Sequence, residues 1–496
     1  MKKTARILAL ILALMMIVTS FVSCGTDGED PSNTTVVTTA GEGGENGDGA
    51  TTTEDRSVSK LPEKHWGDVP YNVLGRDGGV HVQFYNNEIA ADTLNGEVVN
   101  DAVYSRNEMI KSKYGIIVQK TLDANVYATA DLLYKSGYDL YDLVIYIPKY
   151  AQQHAEQGFL SDLTAVPHIN LNHISWNDYA NEQLTVMGKL YYTTSDFLIQ
   201  DKSRTYIMLY NRVLLRSFDE YSDLYIEDWV ESGEWTLEKA GELVTDFTYE
   251  VDGVDGHSAA DAFGLTLEST HSFATLVFGG GFRVSTIEDG VPRLVGVDDK
   301  IISIIDKTLA FASDRNMAMY DGEQPESSTR TWCDSRSLLF CSFPSVFESS
   351  LNKYCDFEFG ILPYPKYDVA QEKYYTHINI GNGSFFAIPI MAEDQEFCGF
   401  GLEALTELST DTTLDAFYET KCKLQDVYDQ RCAEMLDLVF ENVVYDIAAI
   451  CNYGGLYVHI AETVPVMKMN VYQRLYNKSV DTAQGELDEM LASYSS

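Results

Sequence analysis

From about Lys60 onward the chain alternates short β-type runs with stretches of helical period. Val80–Tyr85 (VHVQFY) alternates apolar and polar side chains and predicts a strand. Glu97–Tyr114 repeats Val98, Val99, Ala102, Val103, Met109 and Ile110 at helix spacing. Ile116–Gln119 predicts a second strand, Val126–Tyr134 a helix, and Leu143–Ile147 a buried strand that stops at Pro148. Tyr150–Gln157 adds one or two helical turns. This β-α-β-α-β-α order predicts a parallel or mixed sheet flanked by helices. Such sheets bind ligands at the carboxyl ends of their strands, which puts the loops Tyr85–Glu88 and Pro148–Tyr150 at a candidate site.

Thr205–Tyr210 predicts a strand that enters a second lobe. Thr236 is placed to cap a helix reaching Phe247, with Leu237, Ala240, Leu243, Val244 and Phe247 on one face. Further strands are expected at Phe263–Leu267, Ser337–Phe343, Phe357–Leu362 and Ser384–Ile388. The last hundred residues read as mostly helical, notably Gln395–Ser409 and Thr413–Phe440. No internal repeat is visible.

The amino-terminal residues break this pattern. Lys2, Lys3 and Arg6 precede the apolar run Ile7–Val18, which has secretory length and is too short to span a bilayer. Small and polar residues follow, and Phe21-Val22-Ser23-Cys24 resembles a bacterial lipobox, with Cys24 as the lipidated residue. Phe21 departs from the Leu, Val or Ile common at that position. The alternative is ordinary secretion with an incidental cysteine. From Gly25 to Asp55, 23 of 31 residues are Thr, Gly, Asp or Glu, with no apolar periodicity that could offset the entropy of ordering them. As a coil this tether spans roughly 30 Å. The expected layout is a signal peptide over 1–23, a tether over 24–59, one lobe over 60–205, a second over 206–375, and a return to the first over 376–496.

Length and charge narrow the function. At 496 residues the chain exceeds what one hydrophobic core supports. Its 35 Lys and Arg stand against 75 Asp and Glu, a net charge of −40 that repels phosphate backbones and anionic headgroups. Nucleic acid is therefore not an expected partner, and the membrane is reached only through the lipid anchor. Apart from Cys24, seven cysteines remain, an odd number without zinc spacing. Most read as small buried hydrophobes, and a Cys333–Cys341 or Cys422–Cys432 disulfide is left open.

Tyr141-Asp142-Leu143-Val144, the stretch Gly158-Phe159-Leu160-Ser161-Asp162-Leu163-Thr164, Trp176 and Gly188-Lys189-Leu190-Tyr191 occur in an order that resembles the extracellular solute-binding proteins of ABC importers, in particular the sugar-binding type. Tyr210-Asn211-Arg212, Trp235-Thr236, the run from Phe359 to Lys366 (FGILPYPK) and Ala387-Ile388-Pro389 continue it. Asp429–Asp446 resembles a carboxy-terminal helix pair of lipoprotein members, and the whole covers about residues 78–460. The resemblance implies an α/β fold, a two-lobed Venus flytrap of type-2 periplasmic-binding-protein kind. It has mixed sheets flanked by helices and a helical carboxy-terminal part. It also implies a small-molecule solute, a sugar or oligosaccharide, and ABC permease subunits as partners. The expected location is the outer face of the cytoplasmic membrane of a Gram-positive-type cell. The alternative is a surface glycan-binding or glycan-degrading lipoprotein.

A sugar site needs stacking rings and hydrogen-bonding side chains. Of 32 Tyr, 22 Phe and 5 Trp, most belong to the core. Trp176, Tyr192, Phe282, Trp332 and Tyr453 are the candidate rings, and Asn86, Asn87, Glu88, Asp196, Asn379, Asn382 and Asn452 the candidate polar groups. Gly279-Gly280-Gly281 lacks a phosphate-binding pattern and reads as a sharp turn or a close backbone approach. Asp252, Asp255 and Asp261 form a weak calcium candidate whose spacing departs from an EF-hand loop. No nucleophile-elbow, zinc-protease or Cys/His zinc pattern is present, so neither catalysis nor a cofactor is expected.

Overall fold

A computed structural model describes residues 55–78, 86–253, 258, 260–320, 327–347, 351, 354–422 and 430–495. Strands β1 (Val69–Arg76), β2 (Ile116–Asp123) and β3 (Leu143–Tyr146) run parallel in the order β3-β1-β2, and β12 (Phe385–Ala387) joins antiparallel to β3. Every residue of β3 is apolar and buried, as a strand covered on both faces requires. The helices Val98–Tyr114 and Val126–Ser136 make the crossovers. The first starts where the Glu97 carboxylate accepts from the Asn100 amide at 2.6 Å. It ends at Gly115 (φ 63°), where a Cβ would come within 2.3 Å of His65.

The second sheet has the order β10-β4-β9-β5-β8. Its strands are β4 (Ile207–Asn211), β5 (Phe263–Leu267), β8 (Ala318–Tyr320), β9 (Ser337–Ser342) and β10 (Phe359–Leu362). β4 runs antiparallel to β9 and β10, whereas β5 runs parallel to β8 and β9. The helix Leu237–Asp246, capped as expected by Thr236, turns Leu237, Ala240, Leu243 and Val244 onto this sheet. β6 (Ser285–Glu288) and β7 (Val291–Leu294) form a hairpin, and β11 (Thr376–His377) pairs in parallel with β13 (Val443–Val444).

The chain leaves the first sheet through the short helix Ile199–Ser203 and returns through residues 363–384. Segments between 447 and 463 then touch both halves, packing on the helix Pro148–Glu156 and on the helix Thr270–Gly279. One continuous set of buried apolar side chains runs through both sheets.

Several expectations change. The 80–85 strand lies outside the described residues, as do the leader, Cys24, the tether up to residue 54, and Asp255. β1 occupies Val69–Arg76, which the alternation rule passes over. Of the expected Thr413–Phe440 helix, residues 415–422 and 430–440 are helical, and 423–429 lie outside the described residues. Helix Gln395–Ser409 continues through a wide π-turn, Thr410–Leu414, into Asp415–Cys422, and Gln430–Phe440 is helical beyond the residues that are not described. Ser409 Oγ donates to Leu405 O at 2.6 Å and Thr413 Oγ1 to Ser409 O at 3.4 Å, hydroxyl contacts that bend helices. The helix pair over 429–446 is one helix followed by β13, because Val443 and Val444 pair with β11. Cys333 bonds to Cys355, not to Cys341, which is buried inside β9 as a free thiol. Cys432 is buried 3.7 Å from Arg212 Nη2.

Candidate ligand-binding site

Strands of both sheets end in charged or ring side chains at one shared edge. β1 ends at Arg76, Glu268 follows β5, and Phe343 follows β9. The two crossings supply Gln200, Arg204 and Tyr206 on one side and residues 379–384 on the other. Arg76 Nη2 donates to Asn382 O at 2.8 Å and to Ser384 Oγ at 2.9 Å, so the end of β1 is fastened to the return crossing. The Arg204 guanidinium lies 4.8 Å from the centre of the half-buried Phe343 ring, and Tyr206 stands 6.0 Å from the same ring. Thr376 Oγ1 donates to Tyr206 O at 2.9 Å, which joins the two crossings to each other.

The cluster is charged and buried. Burial lowers the Arg76 and Arg204 pKa values to about 10 and that of Arg106 to about 9, while Glu88 opposes the shift at Arg76 and Arg106. Burial raises Glu88 and pushes Asp201 up to about 6. Arg106 holds the 88–89 backbone, with Nη2 donating to Glu88 O at 2.6 Å and to Ile89 O at 3.0 Å. Charges withdrawn from water persist only where neighbours or a ligand supply partners.

Four of the expected polar residues meet here. Asn86 is buried and its Oδ1 accepts from the Arg76 amide at 2.7 Å, while its Nδ2 donates to Glu88 Oε1 at 3.2 Å. Asn379 is buried, and its Oδ1 accepts from the Asn382 amide at 3.1 Å in the turn that holds Arg76. Asn87 points to solvent. The rings go elsewhere, because large apolar faces bury. Trp332 is packed among Phe340, Phe357 and Phe359, and Phe282 sits edge-on to Tyr472 at 5.4 Å. Trp176 meets Phe386 edge-on, and Tyr192 donates to Gln152 Oε1 at 2.6 Å inside the first half. Asp196 pairs with Lys202 at 3.1 Å. Asn452, at φ 54°, closes the helix Ile447–Cys451 and accepts from the Val458 amide. Tyr453 donates to Glu156 Oε1 at 2.8 Å.

Asp261 closes a turn. Its two oxygens accept from the amides of Val251, Asp252 and Ser258, which lowers its pKa to about 2 and leaves the carboxylate occupied by backbone. Among the described residues no group of three His, Cys, Asp or Glu is arranged to hold a metal ion. The glycine triplet serves packing and a turn. A Cβ on Gly279 would approach Tyr364 to 2.8 Å, and Gly281 has φ 95°.

Arg76, Arg204, Glu268 and Phe343 escaped the sequence reading. Each stands at, or within three residues of, the end of a buried strand, and that is the signal by which they could have been found.

No family model matches the chain, and no curated protein matches its sequence. In structure it is similar to a cyclo/maltodextrin-binding protein crystallised in complex with maltotetraose, with a TM-score of 0.57, 12% identity, and coverage of 86% of this chain and 99% of that chain. At that identity the likeness concerns architecture alone. The chain shares the mixed α/β fold of that maltodextrin-binding protein.

Proposed function

We propose that this protein is an extracytoplasmic solute-binding protein whose cargo is a carbohydrate and whose delivery partner is an ABC permease. The observation that carries the reading is the convergence of Arg76, Glu88 and Asn379 with Arg204 and Glu268 at the strand ends of two sheets, in a fold shared with a maltodextrin-binding protein. A solute bridging the two halves binds the closed arrangement better than the open one and shifts the population toward it. Phe343 offers an apolar face beside hydrogen-bonding groups, the combination that a sugar's C–H and hydroxyl surfaces require.

The leader, Cys24 and the acidic tether support anchoring outside the cytoplasm, and the Cys333–Cys355 disulfide fits an oxidising compartment. A thermal-shift screen against mono-, di- and oligosaccharides tests the reading. A saccharide present at 100 times its dissociation constant adds about 2.7 kcal/mol, and X-ray scattering should show a smaller radius of gyration. No shift with any saccharide, or conversion of a saccharide into product, would overturn it.

A further inference from the structure

Arg76 is 8% exposed, and its Nη2 contacts are a carbonyl and a hydroxyl, both neutral. Among the described residues its Nε has no hydrogen-bond partner and the guanidinium forms no ion pair. Asn379 is 4% exposed, and its Nδ2 is likewise without an acceptor, although its Oδ1 is fully used by the amides of Gly381 and Asn382. The two groups share one turn, since the carbonyl of Asn382 is what grips Arg76. Two buried donors without acceptors therefore stand together at the carboxyl end of β1. Each costs free energy until an incoming group accepts from it.

The charge count points the same way. Arg204 lies close enough to Arg76 for the two guanidiniums to repel each other. With Arg106 they make three cations, against Glu88 and Glu268 as the carboxylates that act on them. A sugar hydroxyl can accept from a donor, but it brings a proton that needs an acceptor of its own and leaves the charge unbalanced. A carboxylate brings two acceptor oxygens, no donor, and one negative charge.

We infer that the solute is an acidic saccharide, bearing a carboxylate of the uronic acid type that accepts from Arg76 and Asn379. The inference rests on the carbohydrate reading above and narrows its cargo. The chain's overall charge of −40 does not oppose it at contact range, because long-range repulsion is screened over about 8 Å at physiological salt.

Calorimetric titration with an oligosaccharide ending in a uronic acid, with its carboxyl-reduced neutral form, and with a maltooligosaccharide of equal length tests this. The acid is expected to bind about 10- to 100-fold more tightly than its reduced form, the range of charge-assisted hydrogen bonds. Asn379→Asp keeps the oxygen that shapes the turn and sets a negative charge where the amide donor stood, so it should abolish that preference. Arg76→Gln should narrow the ratio to within about threefold, and if that variant does not fold, Asn379→Asp carries the test. Equal or tighter binding of the reduced form or the maltooligosaccharide overturns the acidic assignment and leaves saccharide binding standing. Binding of no saccharide, acidic or neutral, brings down the carbohydrate reading itself.

Discussion

The indole Nε1 of Trp176 donates to Glu403 Oε2 across 3.0 Å, tying the loop before helix Asp178–Leu184 to helix Gln395–Ser409. The same oxygen accepts from the Asn170 amide at 3.0 Å. Burial, with the Glu407 carboxyl alongside, holds the Glu403 pKa up at about 8 against an ordinary 4.5. Between those values the folded chain binds more protons than the unfolded one, so stability falls as pH rises through the window. Asp142 and Asp201, both pushed up to about 6 by burial, add the same sign at lower pH. Burial lowers His154 to about 4 and His377 to about 3, groups that act with the opposite sign below their ordinary 6.5. Urea midpoints should therefore be higher at pH 7 than at pH 8.5, and Glu403→Gln should regain about 1 kcal/mol at the upper pH. A midpoint that rises over that interval would contradict the argument.

Arg212 and Glu227 form a buried ion pair at 2.5 Å, with side chains 1% and 0% exposed. Tyr210 OH also donates to the Glu227 carboxylate. Removing only the cation strands a buried anion, so Arg212→Met should cost about 3–5 kcal/mol. Adding Glu227→Leu should recover much of that loss. Chemical denaturation of the two variants side by side measures the difference.

Phe343 and Trp332 should separate binding from stability. Trp332 is fully buried among three Phe rings, and Trp332→Ala is expected to cost about 3–5 kcal/mol of folding free energy. Phe343 is half-buried under Arg204, and Phe343→Ala should weaken saccharide affinity by about 3- to 10-fold with a smaller stability loss. Equal affinity in wild type and Phe343→Ala would remove that ring from the site.

The Cys333–Cys355 bond closes a loop of 22 residues. Chain-entropy reasoning puts its loss, by reduction or by Cys355→Ser, at about 3 kcal/mol. Differential scanning calorimetry with and without reductant reads it directly.

Much of the layering was legible in the chain. Helix Gln395–Ser409 and strand Phe263–Leu267 lie where the sequence sets them, the strand buried at every residue and the helix over the unbroken run from Phe397 to Thr406. β1 was not legible, since Val69–Arg76 carries Pro70 and no apolar–polar alternation. Pro70 is tolerated because β3 begins to pair with β1 only at Val73, so the missing N–H faces no ladder on that side. The site was half legible. Asn86, Glu88, Asn379 and Asn382 stood out as polar residues in loops. Aromatic content could not separate a stacking ring from a core ring, and Trp176, Tyr192, Phe282 and Trp332 went to the core.

The position of β12 sets an order of assembly. All five strands of the second sheet lie within residues 207–362, so the chain can complete that sheet from one contiguous stretch. The first sheet must wait. Its edge strand comes at Phe385–Ala387, and the helix whose Cys398 carbonyl accepts from Tyr71 OH at 2.9 Å follows at Gln395–Ser409. The strands β1 to β3 thus precede, by more than two hundred residues in the chain, the strand and helix that cover them. The sheet begun first is finished last, and the early segment bears the long loop closure that slows folding.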